Sequence, residues 1–378
     1  MDRHTQGDRP ELLGRCDLVT GTTGSTDVAL FTHVRGGHTT ITGVLEARGT
    51  TAGLVPDDVE EARAALFSSL LARLAGRHGV ERVDIITEIF PAIQHRLAYG
   101  PVEAELTVTA RDLGREQRHF LAVSVDPVAA ADVGGVLPGS DDLSTALTVI
   151  DEVSRVASSQ GLPICGVVTP RKVGSLLQSF FFPTPVYPDP DAGSGWAGIP
   201  SFDSTSIGVE TSDGEQPWLA SVGVIMQADW PPVAVDADWL APLVSGIAGA
   251  SCMTVIVSHY FVPTRQAVKH ARTQSALALA NLFGASKKGV VLDGEDQRRA
   301  EAATAALNDV NAGAAGDTPV LRFIVYGTTD VEVMRARRAV EDVLVTRLHV
   351  AAVYWCDTGH ARALAGCLPM GAGIRRLA

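Results

Sequence analysis

Very little in these 378 residues advertises chemistry. The five cysteines, Cys16, Cys165, Cys252, Cys356 and Cys367, include no CxxC pair, so neither a disulfide scaffold nor a zinc ribbon is expected. Reduced thiols suit a cytoplasmic compartment. The polar stretch Met1–Pro10 lacks the apolar centre of a signal peptide. Aromatic residues are 6% of the chain and do not interleave with basic ones, which argues against a stacking groove for single-stranded nucleic acid. A net charge of −12 argues equally against general binding of nucleic-acid phosphate. The uncharged stretch Trp239–Tyr260 is interrupted by Pro242, Gly246 and Gly249, so it reads as a helix end plus a buried strand rather than a membrane span.

Catalytic motifs are missing as well. There is no GxSxG elbow, no HExxH and no DxDxDG calcium loop. Gly21-Thr-Thr-Gly24-Ser-Thr26 has the look of a phosphate loop, but it has no lysine and a β-rich run follows it instead of a helix. It therefore reads as a turn into a strand, and Lys287-Lys288 belongs to no such motif either. The ten histidines are scattered singly. His33 and His38 are expected to face each other across a hairpin with no third metal ligand at a defined spacing, and His259 reads as a core or rim residue. The acidic pairs Asp141-Asp142 and Asp189-Pro-Asp191 read as a helix cap and a turn. No catalytic, cofactor-binding or metal-binding residue is assigned, and no enzyme activity is expected.

What is present is a regular alternation of strand and helix patterns with 46% hydrophobic residues, enough for a sizeable core. Val28–His33 and Thr39–Leu45 are β-rich runs around Gly36-Gly37. Pro56, with acids at 57, 58, 60 and 61, starts a helix carrying Val59, Leu66, Leu70 and Leu74 at helical spacing. Strands follow at Val83–Ile89 and His119–Val125, a helix at Leu143–Ser158, a strand at Pro163–Val168 and a helix at Val173–Phe182. Residues 183–203 are rich in proline, glycine and serine and read as a linker. Beyond it, strands are expected at 204–210 and 218–228, a short helix at 236–245 and a strand at 253–262. A helical hairpin is expected at about 264–308, then a strand at 321–326, a helix at 330–348, a strand at 350–354 and a short helix at 359–365.

This order predicts an α+β protein of two ferredoxin-like halves with mostly antiparallel sheets, residues 1–182 and 204–378, the second half carrying the helical hairpin as an insertion. No fixed-period repeat is visible, although the halves are expected to share an architecture. The charge is unevenly spread along the chain, with a division that falls inside the second half. Residues 1–262 carry 16 basic and 32 acidic side chains, and residues 263–378 carry 15 and 11. Basic clusters stand at Arg298-Arg299, at Arg335, Arg337 and Arg338, and at Arg375-Arg376. Val333, Ala336, Val340 and Leu344 form an apolar stripe, so Arg335, Arg337 and Arg338 are expected on the outer face as a candidate contact with an acidic partner or anionic lipid.

Three stretches resemble a known family. The first is Asp27–Glu88, with Pro56-Asp-Asp-Val-Glu60 and Leu70-Leu-Ala-Arg-Leu74, closing on Asp84-Ile-Ile-Thr-Glu88. The second is Ser221-Val-Gly-Val-Ile225 with Ala237–Leu243 and the strand into Val262-Pro263. The third runs from Phe323-Ile-Val-Tyr326 to Leu368-Pro-Met-Gly-Ala-Gly-Ile374. Together they resemble actinobacterial conjugation-associated proteins shaped like the N-terminal, non-ATPase half of TraC/TrbE-type type IV secretion ATPases. In those ATPases a Leu-Pro-Xaa-Gly motif stands where the motor domain takes over.

The resemblance implies a non-enzymatic scaffold at the cytoplasmic face of a conjugation channel, able to oligomerise. It would bind other channel subunits and a separate ATPase, with no direct contact to nucleic acid. It carries over no catalytic residue and no cofactor, because the matched stretches hold no Walker motif. Such relatives usually bear an N-terminal membrane hairpin, and none is read here, so peripheral docking is implied rather than insertion. The alternatives are a cytosolic subunit of a type VII secretion system, or an enzyme whose site no motif reveals.

Overall fold

A computed structural model describes residues 3–4, 13, 15–48, 57–91, 115–131, 141–183, 187–188, 193–211, 217–226, 229–231, 240–244, 247, 250, 252–262, 264–287, 294–311 and 317–370. The first part of the chain forms β1 (Arg3–His4), β2 (Arg15–Thr23), β3 (Thr26–Arg35), β4 (His38–Ala47), α1 (Asp57–Ala75), β5 (Val80–Pro91) and β6 (Arg115–Val125). It continues with α2 (Pro127–Ala131), α3 (Asp142–Ser159), β7 (Ile164–Val167) and α4 (Pro170–Gln178). Then come β8 (Phe202–Ser204), β9 (Val209–Thr211), β10 (Trp218–Ile225), α5 (Ala241–Val244), β11 (Met253–Phe261), α6 (Thr264–Lys287) and α7 (Gly294–Asn311). The last elements are β12 (Asp317–Gly327), α8 (Asp330–Asp342), β13 (Tyr354–Trp355) and α9 (His360–Cys367).

All thirteen strands join one sheet in the order β1-β8-β9-β10-β12-β11-β5-β6-β4-β3-β2, with β7 added to β4 and β13 added to β10. Every pairing among the described residues is antiparallel. The expected α+β class with an antiparallel sheet therefore stands. The same strand order occurs twice. The run β2-β3-β4-β6-β5, with β7 on β4, is repeated as β8-β9-β10-β12-β11, with β13 on β10. The helices follow suit, α1, α3 and α4 in the first run answering to α5, α8 and α9 in the second. The two runs meet where β5 pairs with its counterpart β11, from Met253 opposite Ile89 to Tyr260 opposite Arg82. The sheet thus passes without interruption across the expected division of the chain.

Both faces of the sheet are covered, so most central strands are apolar on both sides. On one face, α1 and α3 pack through Leu70, Leu74, Val149, Ile150 and Val153 onto Val28, Leu30, Leu45, Val83 and Val123. On the same side of the second run, α8 packs through Val333, Ala336 and Val340 onto Met253, Val255, Leu321 and Phe323. The opposite face has one continuous core. There α4, Phe180–Phe182 and α9 lie over Val44, Ile86, Phe120, Val222, Ile256 and Ile324 from both runs.

Several elements differ from expectation. Of the turn expected at Gly21–Thr26, only Gly24 and its neighbours turn, with Gly24 at φ +61°, and Gly21–Thr23 end an edge strand, β2, that pairs with β3 and that the sequence reading does not include. The helix expected at 173–182 starts at Pro170 and ends at Gln178, so the Phe180–Phe182 cluster lies in the turn after it. The strand expected at 204–210 is a tight hairpin instead, turned by Thr205, whose Oγ1 accepts from the N–H groups of Ile207 and Gly208. The helix expected to reach residue 348 changes to a π-turn at Val343–Arg347. Within the expected linker, the turn Gly195–Gly198 packs on α4. Gly198 sits against the backbone of Gly174, and Ile199 is wholly buried. Pro56, Asp189-Pro-Asp191 and Arg375-Arg376 lie outside the described residues, as do the side chains of Arg298-Arg299.

Candidate functional site

The central pair of strands carries an unusual load. Alternation along β5 puts Arg82, Asp84, Ile86, Glu88 and Phe90 on the face covered by α4 and α9. Across the seam, Asp84 stands opposite Ser258 and Glu88 opposite Thr254, with Ile86 opposite Ile256 between them. Each acid is met by an arginine from a flanking strand. Arg118 on β6 brings Nε to 3.0 Å from Glu88, and Arg322 on β12 brings Nη2 to 3.4 Å from Asp84. Arg82 adds a second contact to Asp84 at 2.8 Å and lies over the Tyr260 ring.

Both covering helices finish the network. Ser179, just past α4, donates its hydroxyl to Glu88, and the Gly366 carbonyl of α9 accepts from Arg322. Ser258 donates to Asp84 at 2.5 Å and accepts from Arg322. Tyr326 donates to the Ser179 carbonyl at 3.1 Å and shares a hydrogen bond with Thr254 at 2.9 Å. Burial pushes the Glu88 carboxyl above the usual carboxylate range, against the opposing pull of Arg118 and the Ser179 hydroxyl. Burial also acts to lower the Arg322 pKa, but Asp84, Tyr260 and Cys367 hold it above its ordinary value. Desolvating such charges costs several kcal/mol per ion. The network therefore selects one register of β5 on β11 rather than adding large net stability, because a slip would strand each charge without its partner.

An open cleft of about 290 Å³ lies at the edge of this network, lined by Glu46, Ala47, Arg48, Gln117, Arg118, His119 and Phe120. Two of its charges are already matched. Glu46 pairs with Lys172 at 2.5 Å, and Arg118 stacks on the rings of Phe90 and Tyr187 while holding Glu88. Thr87 Oγ1 lies 3.1 Å from His119 Nδ1, and burial pushes the imidazole pKa down. Among the described residues no carboxylate orients that ring, so the pair lacks the third group of a nucleophile–base–orienter set. The buried Cys367 and half-buried Cys356 thiols are poor nucleophiles too. Burial pushes Cys367 up to about 12 and, with Asp357, Cys356 up to about 11.

The arginines singled out from the sequence separate. Arg335 and Arg338 are exposed on α8. Arg337 is not on the outer face. It is buried, with Nη2 2.9 Å from Asp357 and its guanidinium 4.4 Å from the Trp355 ring centre. The expected His33–His38 pairing is also corrected. The register sets His33 opposite Thr40 and His38 opposite Arg35. Asp141 caps α3 by accepting from the Ser144 N–H at 2.7 Å, and His259 is buried beside Phe67, both as expected.

The surface contributes one more feature. In α6, Ala267, Ala271, Ser275, Ala278 and Leu282 recur at four- and three-residue steps and are buried or half-buried, as are Ala300, Ala303, Thr304 and Leu307 in α7, the helix it packs against. Among the described residues, mostly small side chains thus mark the buried side of each helix. Leu277, Leu279 and Phe283 lie outside these positions, exposed by 55%, 37% and 67%. Among the described residues no helix is long and apolar enough to cross a membrane. No family model matches the chain, and no curated protein matches it in sequence.

Proposed function

We propose that this chain is a non-enzymatic structural subunit of a type IV-like conjugative secretion machine, docked at the cytoplasmic face of the membrane. In this reading each run of the sheet is a ferredoxin-like βαββαβ unit and the α6–α7 hairpin is an insertion in the second. The observation that carries the proposal is the exposed pair Leu279 and Phe283, one turn apart on α6 and outside its run of buried and half-buried positions. Adjacent large apolar side chains left in solvent suit a protein partner. The motif resemblance supplies the kind of partner: other channel subunits and a separate ATPase. Arg335 and Arg338, free of the ion pair that engages Arg337, suit an acidic partner surface or anionic lipid headgroups.

The test is affinity capture of the tagged chain from detergent-solubilised membranes of its host. The expected eluate contains a Walker-motif ATPase and small membrane subunits. Leu279→Glu combined with Phe283→Glu is expected to abolish their recovery while shifting folding stability by no more than about 0.5 kcal/mol, as for exposed positions generally. Flotation with anionic vesicles should fall when Arg335 and Arg338 are replaced by glutamate. If no channel subunit is captured and the chain never partitions with membranes, the proposal is wrong.

A further inference from the structure

Three side chains remote in sequence converge at one end of the sheet. His38 opens β4, Glu81 is the second residue of β5 and Asp126 directly follows β6. Nε2 of His38 lies 3.0 Å from Oε1 of Glu81, and its Nδ1 lies 3.8 Å from Oδ2 of Asp126. One ligating atom from each residue lies within 4.8 Å of the other two.

The two carboxylates are held by their far oxygens. Thr40 Oγ1 donates to Oε2 of Glu81 at 3.1 Å, and the N–H groups of Val128 and Ala129 donate to Oδ1 of Asp126 at 2.9 and 3.1 Å. The near oxygens are left facing the imidazole. Backbone geometry sets the same aim. The β5–β6 register shifts between Val80 and Arg82, so Glu81 is the extra residue of a bulge, a device that redirects a side chain. The Asp126 N–H also donates to the Gly79 carbonyl at 2.7 Å. Gly79 has φ +87°, and any Cβ there would stand 2.8 Å from Ala130 N, so the close approach of the β5 start to α2 needs glycine.

We propose that His38, Glu81 and Asp126 form a binding site for one divalent transition-metal ion of the zinc class. One imidazole and two carboxylates make a borderline nitrogen–oxygen donor set. Calcium and magnesium prefer oxygen alone, whereas zinc accepts this set at about 2.0–2.2 Å per ligand. Ligands at that range are at most about 4.4 Å apart, and one ion takes a single ring nitrogen, so the exposed His38 ring must turn to set that nitrogen between the two carboxylates. A dication also offsets two carboxylates that a single imidazole cannot. Three protein ligands leave a fourth position to water and clip β4, β5 and β6 together. This site is independent of the assembly role proposed above.

The full chain, stripped with chelator and dialysed, is titrated with zinc chloride in a calorimeter and melted with and without the metal. One equivalent should bind, with a rise in melting temperature, and cobalt(II) at the site should show ligand-field bands of nitrogen–oxygen coordination. His38→Ala and Glu81→Gln should each weaken binding at least tenfold, and Thr40→Val, which frees a supporting contact, by about tenfold. His270→Ala, at an exposed histidine of α6, should change nothing. The proposal fails if no equivalent binds, or if His38→Ala binds as tightly as the parent. Should that variant not fold, the parent's cobalt(II) spectrum decides: absence of those bands overturns the site.

Discussion

At the scale of single residues, Glu88 offers the sharpest handle. Its carboxyl is raised by burial, so the folded chain keeps that proton to a higher pH than the unfolded chain, whose glutamates titrate near about 4.3. Its contribution to stability is therefore greatest in acid and declines as pH rises from the ordinary carboxylate range to its own raised value. Urea midpoints measured across that interval should fall more steeply for the parent than for Glu88→Gln. Equal slopes would show that Arg118 and Ser179 fully offset the burial. The sequence already contained a clue to Arg337 that the stripe reading passed over. Position 337 is four residues after Val333 and three before Val340, which places it beside the buried stripe, where Asp357 and Trp355 receive it. Glu88 and Asp84 were harder to read. Alternation marks Val83, Ile85 and Ile89 as inward, and the acids on the other side look solvent-facing until α4 and α9 are known to cover them.

At the scale of elements, helix starts with a capping residue were the most legible because that signal is local. α8 begins with Thr329, whose Oγ1 accepts from the Glu332 N–H at 3.3 Å, while the Glu332 carboxylate accepts from the Thr328 N–H at 2.8 Å. The Thr328 hydroxyl and N–H in turn hold the Glu332 carboxyl below its usual range. This reciprocal cap is a Thr-x-x-Glu pattern. Thr329→Ala should cost about 1 kcal/mol in chemical denaturation, and no change would mean that packing on the sheet alone sets the start of α8. Strand pairings were less legible, since they join positions far apart. The triad of His38, Glu81 and Asp126 depends on two such registers, β4 on β6 and β5 on β6, and no spacing rule links the three. The end of β2 reads as a turn because Thr22 and Thr23 stand between two glycines, and its strand character comes only from pairing with β3.

At the scale of the whole molecule, the repeated strand order matters more than the proline-rich stretch between the two runs. Eight paired positions at β5–β11, the ions flanking them and one common core hold the runs together. A protease cut engineered near residue 193 should leave two fragments that co-elute in gel filtration and separate only in denaturant. Fragments that part in native buffer would show that the stretch itself does the joining. The proline-rich stretch between the two runs was legible from composition. The continuous sheet was not, because composition marks where a chain bends and says nothing of which strands then pair.

The route of the chain through the hairpin also has a mechanical meaning. Only residues 262 and 263 separate the end of β11 from the start of α6, and α7 returns into β12, the strand next to β11. A pull on the hairpin therefore reaches the sheet at two adjacent inner strands rather than at an edge. β11 is laddered on both sides, to β5 and to β12, so tension along it loads many hydrogen bonds at once instead of peeling them one by one. Tension applied through α6 and α7 would therefore enter where the sheet is hardest to tear.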